Sequence, residues 1–208
     1  MKIPFAALLL AATPALALEL EADPAHSTAS FAVKHMVANT VHGRFGKLTS
    51  TANLDPQDPT KGNVTATIEV ASITTDNEKR DGHLKSADFF DAQKCPQITF
   101  KSNKLEKAGA DQLKVTGDLT IHCVTRPVTL DATYSPNPIK SPFGTTVSPA
   151  TATTRIKRSD FGLTWNKTLE TGGVLVSDDV NIELNLEYVA KQAEGKKEAA
   201  AETQAPQT

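Results

Sequence analysis

The chain predicts an all-β domain, an antiparallel sheet of about eight strands closed into a barrel. Three observations predict it. Apolar and polar side chains alternate with a period of two in run after run, so each run is a strand with one buried and one wet face. Turn signals rich in Pro, Gly, Asp and Asn separate the runs. No helical spacing long enough for a crossover lies between them, and one-faced alternation belongs to antiparallel rather than buried parallel sheets. Closure removes the exposed edges that such a sheet otherwise carries; a two-sheet sandwich is the competing architecture.

Taken in order, residues 1–17 (MKIPFAALLLAATPALA) form an address rather than an element. Lys2 supplies a positive start, residues 5–12 an apolar run, and Ala15-Leu16-Ala17 a small-x-small cleavage site. A cleaved signal peptide, cut after Ala17, and export to a bacterial periplasm are the expectation. The apolar run falls well short of the roughly 20 residues that span a bilayer. Ala29, Phe31 and Val33 set the first beat, and Val64, Ala66, Ile68 and Val70 the next, with Asp55-Pro56, Asp58-Pro59 and Lys61-Gly62-Asn63 as turns between them. The beat breaks over 75–90. There Asp76 or Asn77 is placed to cap a short helix near residues 78–87, with Leu84 and the Phe89-Phe90 pair plugging one end of the barrel. A surface turn with two core aromatics is the other reading. Ile98 and Phe100, then Leu113, Val115, Gly117, Leu119 and Ile121, make a hairpin centred near Ala108. Val128, Leu130 and Ala132 follow, then Thr154 and Ile156, and residues 180–188 alternate without a fault. Residues 191–208 hold no large apolar side chain and read as a disordered tail, leaving 18–190 as one domain.

Composition narrows the function. Hydrophobic residues are 39% of the chain and charged residues 22%, enough for a packed core. With 22 Lys+Arg against 24 Asp+Glu the chain has no net basic character, which argues against binding duplex nucleic acid. It contains no G-x-S-x-G, phosphate loop, dinucleotide fingerprint or C-x-x-C. None of the five histidines stands at metal-ligand spacing, so neither a metal nor a cofactor is expected. Arg80-Asp81-x-His83 has the look of a catalytic set. On a short capped helix its simpler reading is an ion pair and hydrogen bonds that hold the plug.

Cys95 precedes Pro96 at the start of one hairpin strand, and Cys123 ends the other at about the same level. Export permits a disulfide. Strict alternation sets Cys123 on the buried face of Leu119 and Ile121 and gives Cys95 the opposite parity from Ile98 and Phe100. A bond therefore requires a bulge near Pro96. The bond and two free buried thiols both stay open.

Six segments carry a resemblance: HSTASFAVKH (26–35), VHGRFG (41–46), RDGHLKSADFFDA (80–92), PQITFKS (96–102), GDLTIH with VTRPV (117–122, 124–128), and RSDFGL (158–163). In order and spacing, across nearly all of 19–190, they resemble the YceI-like polyisoprenoid-binding proteins. The chain departs from the family's pattern at the cysteines, where an aromatic at position 95 and glycine at 123 are more usual. The resemblance implies an extended, lipocalin-like barrel in the periplasm. It implies a long cavity for an isoprenoid or another long-chain amphiphile (a quinone, a polyprenyl phosphate, a fatty-acid amide), and no cofactor-dependent turnover. An eight-stranded barrel either fills with side chains or holds one slender ligand, and the small residues Ala29, Ala66, Gly117 and Ala132 leave room.

On that reading the expected cavity lining is Phe31, Val33, Phe45, Leu84, Phe89, Phe90, Phe100, Leu119, Phe161 and Trp165. His35, His83, Arg158 and Asn166 are the expected polar contacts at the mouth. Transient contact with a membrane or membrane protein, and a homodimer by analogy with other exported barrels, complete the expected partners. Two other functions remain open. One is a hydrolase or isomerase acting on such a lipid, with His83 and Asp81 as acid and base. The other is a ligand-free stress-protective or interaction module with a filled interior.

Overall fold

The computed structural model describes residues 18–55, 57–142, 144–170 and 172–191. The leader reading of 1–17 lies outside the described residues, as does the tail reading of 191–208 except at Lys191, which is held to Glu19 by its N–H (2.9 Å) and its ammonium (2.7 Å) rather than loose. In chain order the strands are β1 (Leu18–Ala22), β2 (Thr28–His35), β3 (Asn39–Phe45), β4 (Leu48–Leu54), β5 (Asn63–Glu69) and β6 (Ile73–Thr74). They continue with β7 (Gln97–Lys107), β8 (Gln112–Ile121), β9 (Val124–Tyr134), β10 (Ile139–Lys140), β11 (Thr146–Lys157) and β12 (Val176–Ala190). All pairings are antiparallel. The ring runs β1-β4-β5-β7-β8-β9-β11-β12 and returns to β1, with β11 and β12 paired from Val147↔Val189 to Lys157↔Asp179. Eight members close the barrel, and no sandwich forms.

The barrel is extended because three of its ribs are built in two pieces. β12 meets β1 at Leu20↔Ala190 and, lower down, β2 from Val180↔Val33 to Asn185↔Thr28. Between β1 and β2 the chain turns at Asp23-Pro24, where proline has no N–H for a ladder. Asp23 fixes this turn by accepting from Ala25 N at 2.9 Å and pairing with His26 Nδ1 at 2.7 Å. The β3–β4 rib bends at Gly46-Lys47, and the β5–β6 rib at the 3-10 turn Val70–Ser72. Strands β4 and β11 largely escape hydrophobic alternation because Ser, Thr and Ala occupy many of their positions, and β3 because only Val41 and Phe45 in it are apolar side chains. Threonine is nevertheless β-favouring, and its hydroxyls pair across strands at Thr51–Thr65 (2.8 Å), Thr116–Thr129 (2.9 Å) and Thr120–Thr125 (2.8 Å).

Among the described residues the one α-helix, α1, spans Glu78–Lys85, two residues shorter than expected, and Asn77 caps it by accepting from Arg80 N at 3.0 Å. Hydrogen bonds hold this segment, as expected of Arg80-Asp81-x-His83, but Arg80 and Asp81 do not pair with each other; both side chains turn back to Thr75, and His83 faces Asp88. Asp81 accepts from Thr75 N (2.8 Å) and Thr75 Oγ1 (2.5 Å), while Arg80 donates to Thr75 Oγ1 (2.7 Å) and Thr75 O (2.8 Å). Burial works against the Asp81 charge. Hydrogen bonds from Thr75 and Thr74, with Lys85 nearby, outweigh it and hold the carboxyl below its ordinary range.

Cys95 and Cys123 are bonded. No bulge at Pro96 is involved, because neither cysteine belongs to a strand. β8 stops at Ile121, and His122 (φ 51°) with Cys123 (φ 59°) forms a two-residue left-handed turn into β9. That turn frees Cys123 from strand parity. The register shift in this hairpin lies instead at Ser102/Lys104. It also corrects the reading of Gly117 as spare room: a Cβ there would stand 2.7 Å from Phe100 Cζ and 2.7 Å from Ser102 Cα. The missing side chain makes space for the Phe100 ring and the shifted strand, not for a cavity.

Candidate functional site

Inside the ring the alternating faces converge on an elongated cavity of about 340 Å³, within the lower part of the range for small-molecule pockets. β12 contributes Val180, Ile182, Leu184, Leu186 and Tyr188; β4 contributes Leu48, Ser50, Ala52 and Leu54. From Val180 to Tyr188 is eight strand steps, roughly 27 Å of chain. The lining runs out at one end to exposed Leu18, Pro136 and Pro138. At the other end it stops at aromatic rings: Phe31 and Phe45 lie 5.8 Å apart, and Phe90 meets Phe45 edge-on at 6.1 Å. The tip of the Phe31 ring fits there only because Gly43 sits opposite it on β3; a Cβ on Gly43 would overlap Phe31 Cζ and stand 2.6 Å from Cε1.

The wall is almost wholly apolar. Apart from Arg158 at the floor, its buried polar exception is a hydrogen-bonded pair, with Tyr188 Oη 2.7 Å from Ser50 Oγ, which in turn donates to Thr65 O at 2.8 Å. Burial raises the Tyr188 hydroxyl above its ordinary value, and the Ser50 hydrogen bond offsets this only in part. The pair therefore stays neutral at ordinary pH.

Of the expected lining residues, Phe31, Phe45, Phe90, Phe100 and Leu119 face the cavity, as do the small residues Ala29, Ala66 and Ala132. Val33, Leu84, Phe89, Phe161 and Trp165 are not part of its wall. Phe161 is buried in the 3-10 turn Arg158–Phe161, and Leu84 packs on the core from α1. Phe89, Trp165 and His83 form their own ring cluster, with centroids 4.9 to 5.1 Å apart, and His83 Nε2 lies 3.0 Å from Asp88 Oδ2.

The four residues expected at the mouth belong instead to the plugged end. His35 closes β2 opposite Asn39 and Val176. Asn166 clamps Val176 through both backbone groups, at 2.7 and 3.1 Å. Arg158 reaches the cavity floor, but its guanidinium is committed to main-chain carbonyls: Ser177 O at 2.9 Å, Trp165 O at 2.9 Å, Val176 O at 3.4 Å and Leu163 O. Consecutive loops of an antiparallel barrel fall at opposite ends, and residue spacing carries no sign of which end is open.

Residues absent from the sequence-based site include the whole inward row of β12, Leu113 and Val115 on β8, and the β4 set with Ser50. The β12 row was visible as alternation. Ser50 gave no signal, since in LTSTANL polar residues occupy inward positions as well as outward ones.

A YceI-like domain model matches residues 20–188. A UPF0312 protein of Staphylococcus aureus is 37% identical over 169 residues, covering 80% of this chain and 94% of that protein. Among solved structures, BcnA of Burkholderia cenocepacia superposes with a TM-score of 0.70 at 30% identity, covering 80% of this chain and 98% of BcnA. A polyisoprenoid binding domain from Saccharophagus degradans has the same fold, with a TM-score of 0.64 at 17% identity, covering 84% and 99% of the two chains.

Proposed function

This chain belongs to the YceI-like family, and we propose that it binds a long-chain isoprenoid or similar amphiphile inside the barrel, as an exported periplasmic carrier or buffer rather than an enzyme. The observation that carries the proposal is the long, apolar cavity, open at one end and stopped by rings at the other. The Saccharophagus domain, described as polyisoprenoid binding, shares the architecture. Each methylene moved from water contributes about 0.8 kcal/mol, so ten give roughly 8 kcal/mol before binding entropy is subtracted. Affinity of that kind needs few polar contacts.

The catalytic alternative finds little support: Asp81 is engaged with Thr75 and His83 sits among Phe89, Trp165 and Asp88, and neither is part of the cavity wall. The disulfide fits an oxidising compartment, in keeping with export. Leu18 (36% exposed) and Ile139 (52% exposed), the latter paired with Val147, give the open end an apolar fringe suited to transient contact with a lipid surface. The test is organic extraction of the purified protein followed by mass spectrometry, with uptake of an offered polyprenol or quinone as the second arm. A co-purified or acquired long-chain lipid is expected; an empty extract together with no uptake overturns the proposal.

A further inference from the structure

We infer that the head group this cavity selects is a neutral hydroxyl, so that its ligand class is a long-chain alcohol rather than a quinone or an anionic polyprenyl ester. The inference rests on the lipid-binding reading above and adds the chemistry of the head. It comes from the direction of the hydrogen bonds in the wall. Thr65 O only accepts, so the Ser50 proton is spent on it. Tyr188 must then donate its own proton to Ser50. Both hydroxyls keep lone pairs and neither keeps a proton to give. What the pair offers is acceptor capacity, at residues only 3% (Ser50) and 6% (Tyr188) exposed.

An alcohol completes this chain. Its O–H donates to Tyr188 Oη, and three aligned hydrogen bonds then run from the head through Tyr188 and Ser50 to Thr65 O, each polarising the next. Ser148 stands directly opposite Tyr188 in the β11–β12 register and also lines the cavity. Its hydroxyl has no hydrogen-bond partner among the described residues, and it can donate to the oxygen of the same head. A quinone carbonyl accepts only: it can take the Ser148 proton but has none to give Tyr188, and so makes one of the two hydrogen bonds open to the alcohol. An anionic head finds no free cation at this level. Among the described lining residues the one cationic side chain is Arg158, committed to four carbonyls at the far end, and Asp55 near the open end is acidic.

The experiment compares four probes sharing one geranylgeranyl chain: geranylgeraniol, geranylgeranyl phosphate, a menaquinone with that side chain, and the headless hydrocarbon. Each is titrated against the delipidated protein and against Tyr188→Phe and Ser50→Ala. Geranylgeraniol is expected to bind tightest, and each substitution to weaken it about three- to ten-fold while leaving the hydrocarbon unchanged. Unchanged hydrocarbon binding also reports that each variant is folded. If all probes bind but the phosphate or the quinone is tightest, or if neither substitution moves the alcohol, the inference is overturned while the lipid-binding reading stands. If no probe binds, both fall.

Discussion

Arg158 is only 7% exposed and, among the described residues, touches no carboxylate. Burial pulls its pKa down, with the charge of Asp178 opposing, and a guanidinium remains protonated regardless. Its role is mechanical. The carbonyls of Leu163, Trp165, Val176 and Ser177 belong to irregular chain and to the first residues of β12, where the ladder does not satisfy them all, and one planar fork gathers them. Arg158→Met leaves the carbonyls of Leu163, Trp165 and Ser177 without this donor, while Val176 O keeps the Asn166 amide. The expected loss is about 3 kcal/mol of unfolding free energy by urea titration; a loss below about 1 kcal/mol would show that the clamp is dispensable.

At the scale of elements, the β8–β9 turn and the disulfide act together. His122 and Cys123 both hold positive φ, a conformation in which a Cβ costs about 1 kcal/mol or more. The glycine expected at position 123 from the family pattern would take it freely. Here cysteine accepts the strained backbone and ties the turn to the loop before β7. Replacing both cysteines by alanine is expected to cost about 3.5 kcal/mol in the chain-entropy account, for a sequence separation of 28. The pair Cys95→Ala with Cys123→Gly should recover about 1 kcal/mol of that, because the turn relaxes. Urea midpoints of the two double variants decide it: equal midpoints would mean that the turn carries no strain.

For the whole molecule, the void is the decisive property. Ala132 faces it from β9, opposite Ala152 on β11. Ala132→Phe puts a ring into the cavity without touching the plug, the disulfide or the Tyr188–Ser50 pair. Stability should stay within about 2 kcal/mol of the parent, since apolar burial offsets most of the packing strain. Uptake of a long-chain probe should fall at least about ten-fold. A variant that stays folded and takes up the probe as before would show that the ligand lies elsewhere.

Period-two alternation and turn chemistry determined the class of fold, the β7–β8 hairpin, the capped helix and the inward rows that include Phe100, Leu119 and the β12 residues, because each is written in side chains close along the chain. Four matters lay beyond that local code. Cys123 escaped strand parity through a backbone turn, and Gly117 made room for a neighbouring ring rather than for a ligand. Ser50 became a polar feature of the cavity only because closure set β4 beside β1, and β1 beside β12, within reach of Tyr188. Which end is open was likewise settled by closure. Antiparallel strands send alternate loops to opposite ends, and only the packed barrel puts rings across one end and leaves exposed Leu18, Pro136 and Pro138 around the other.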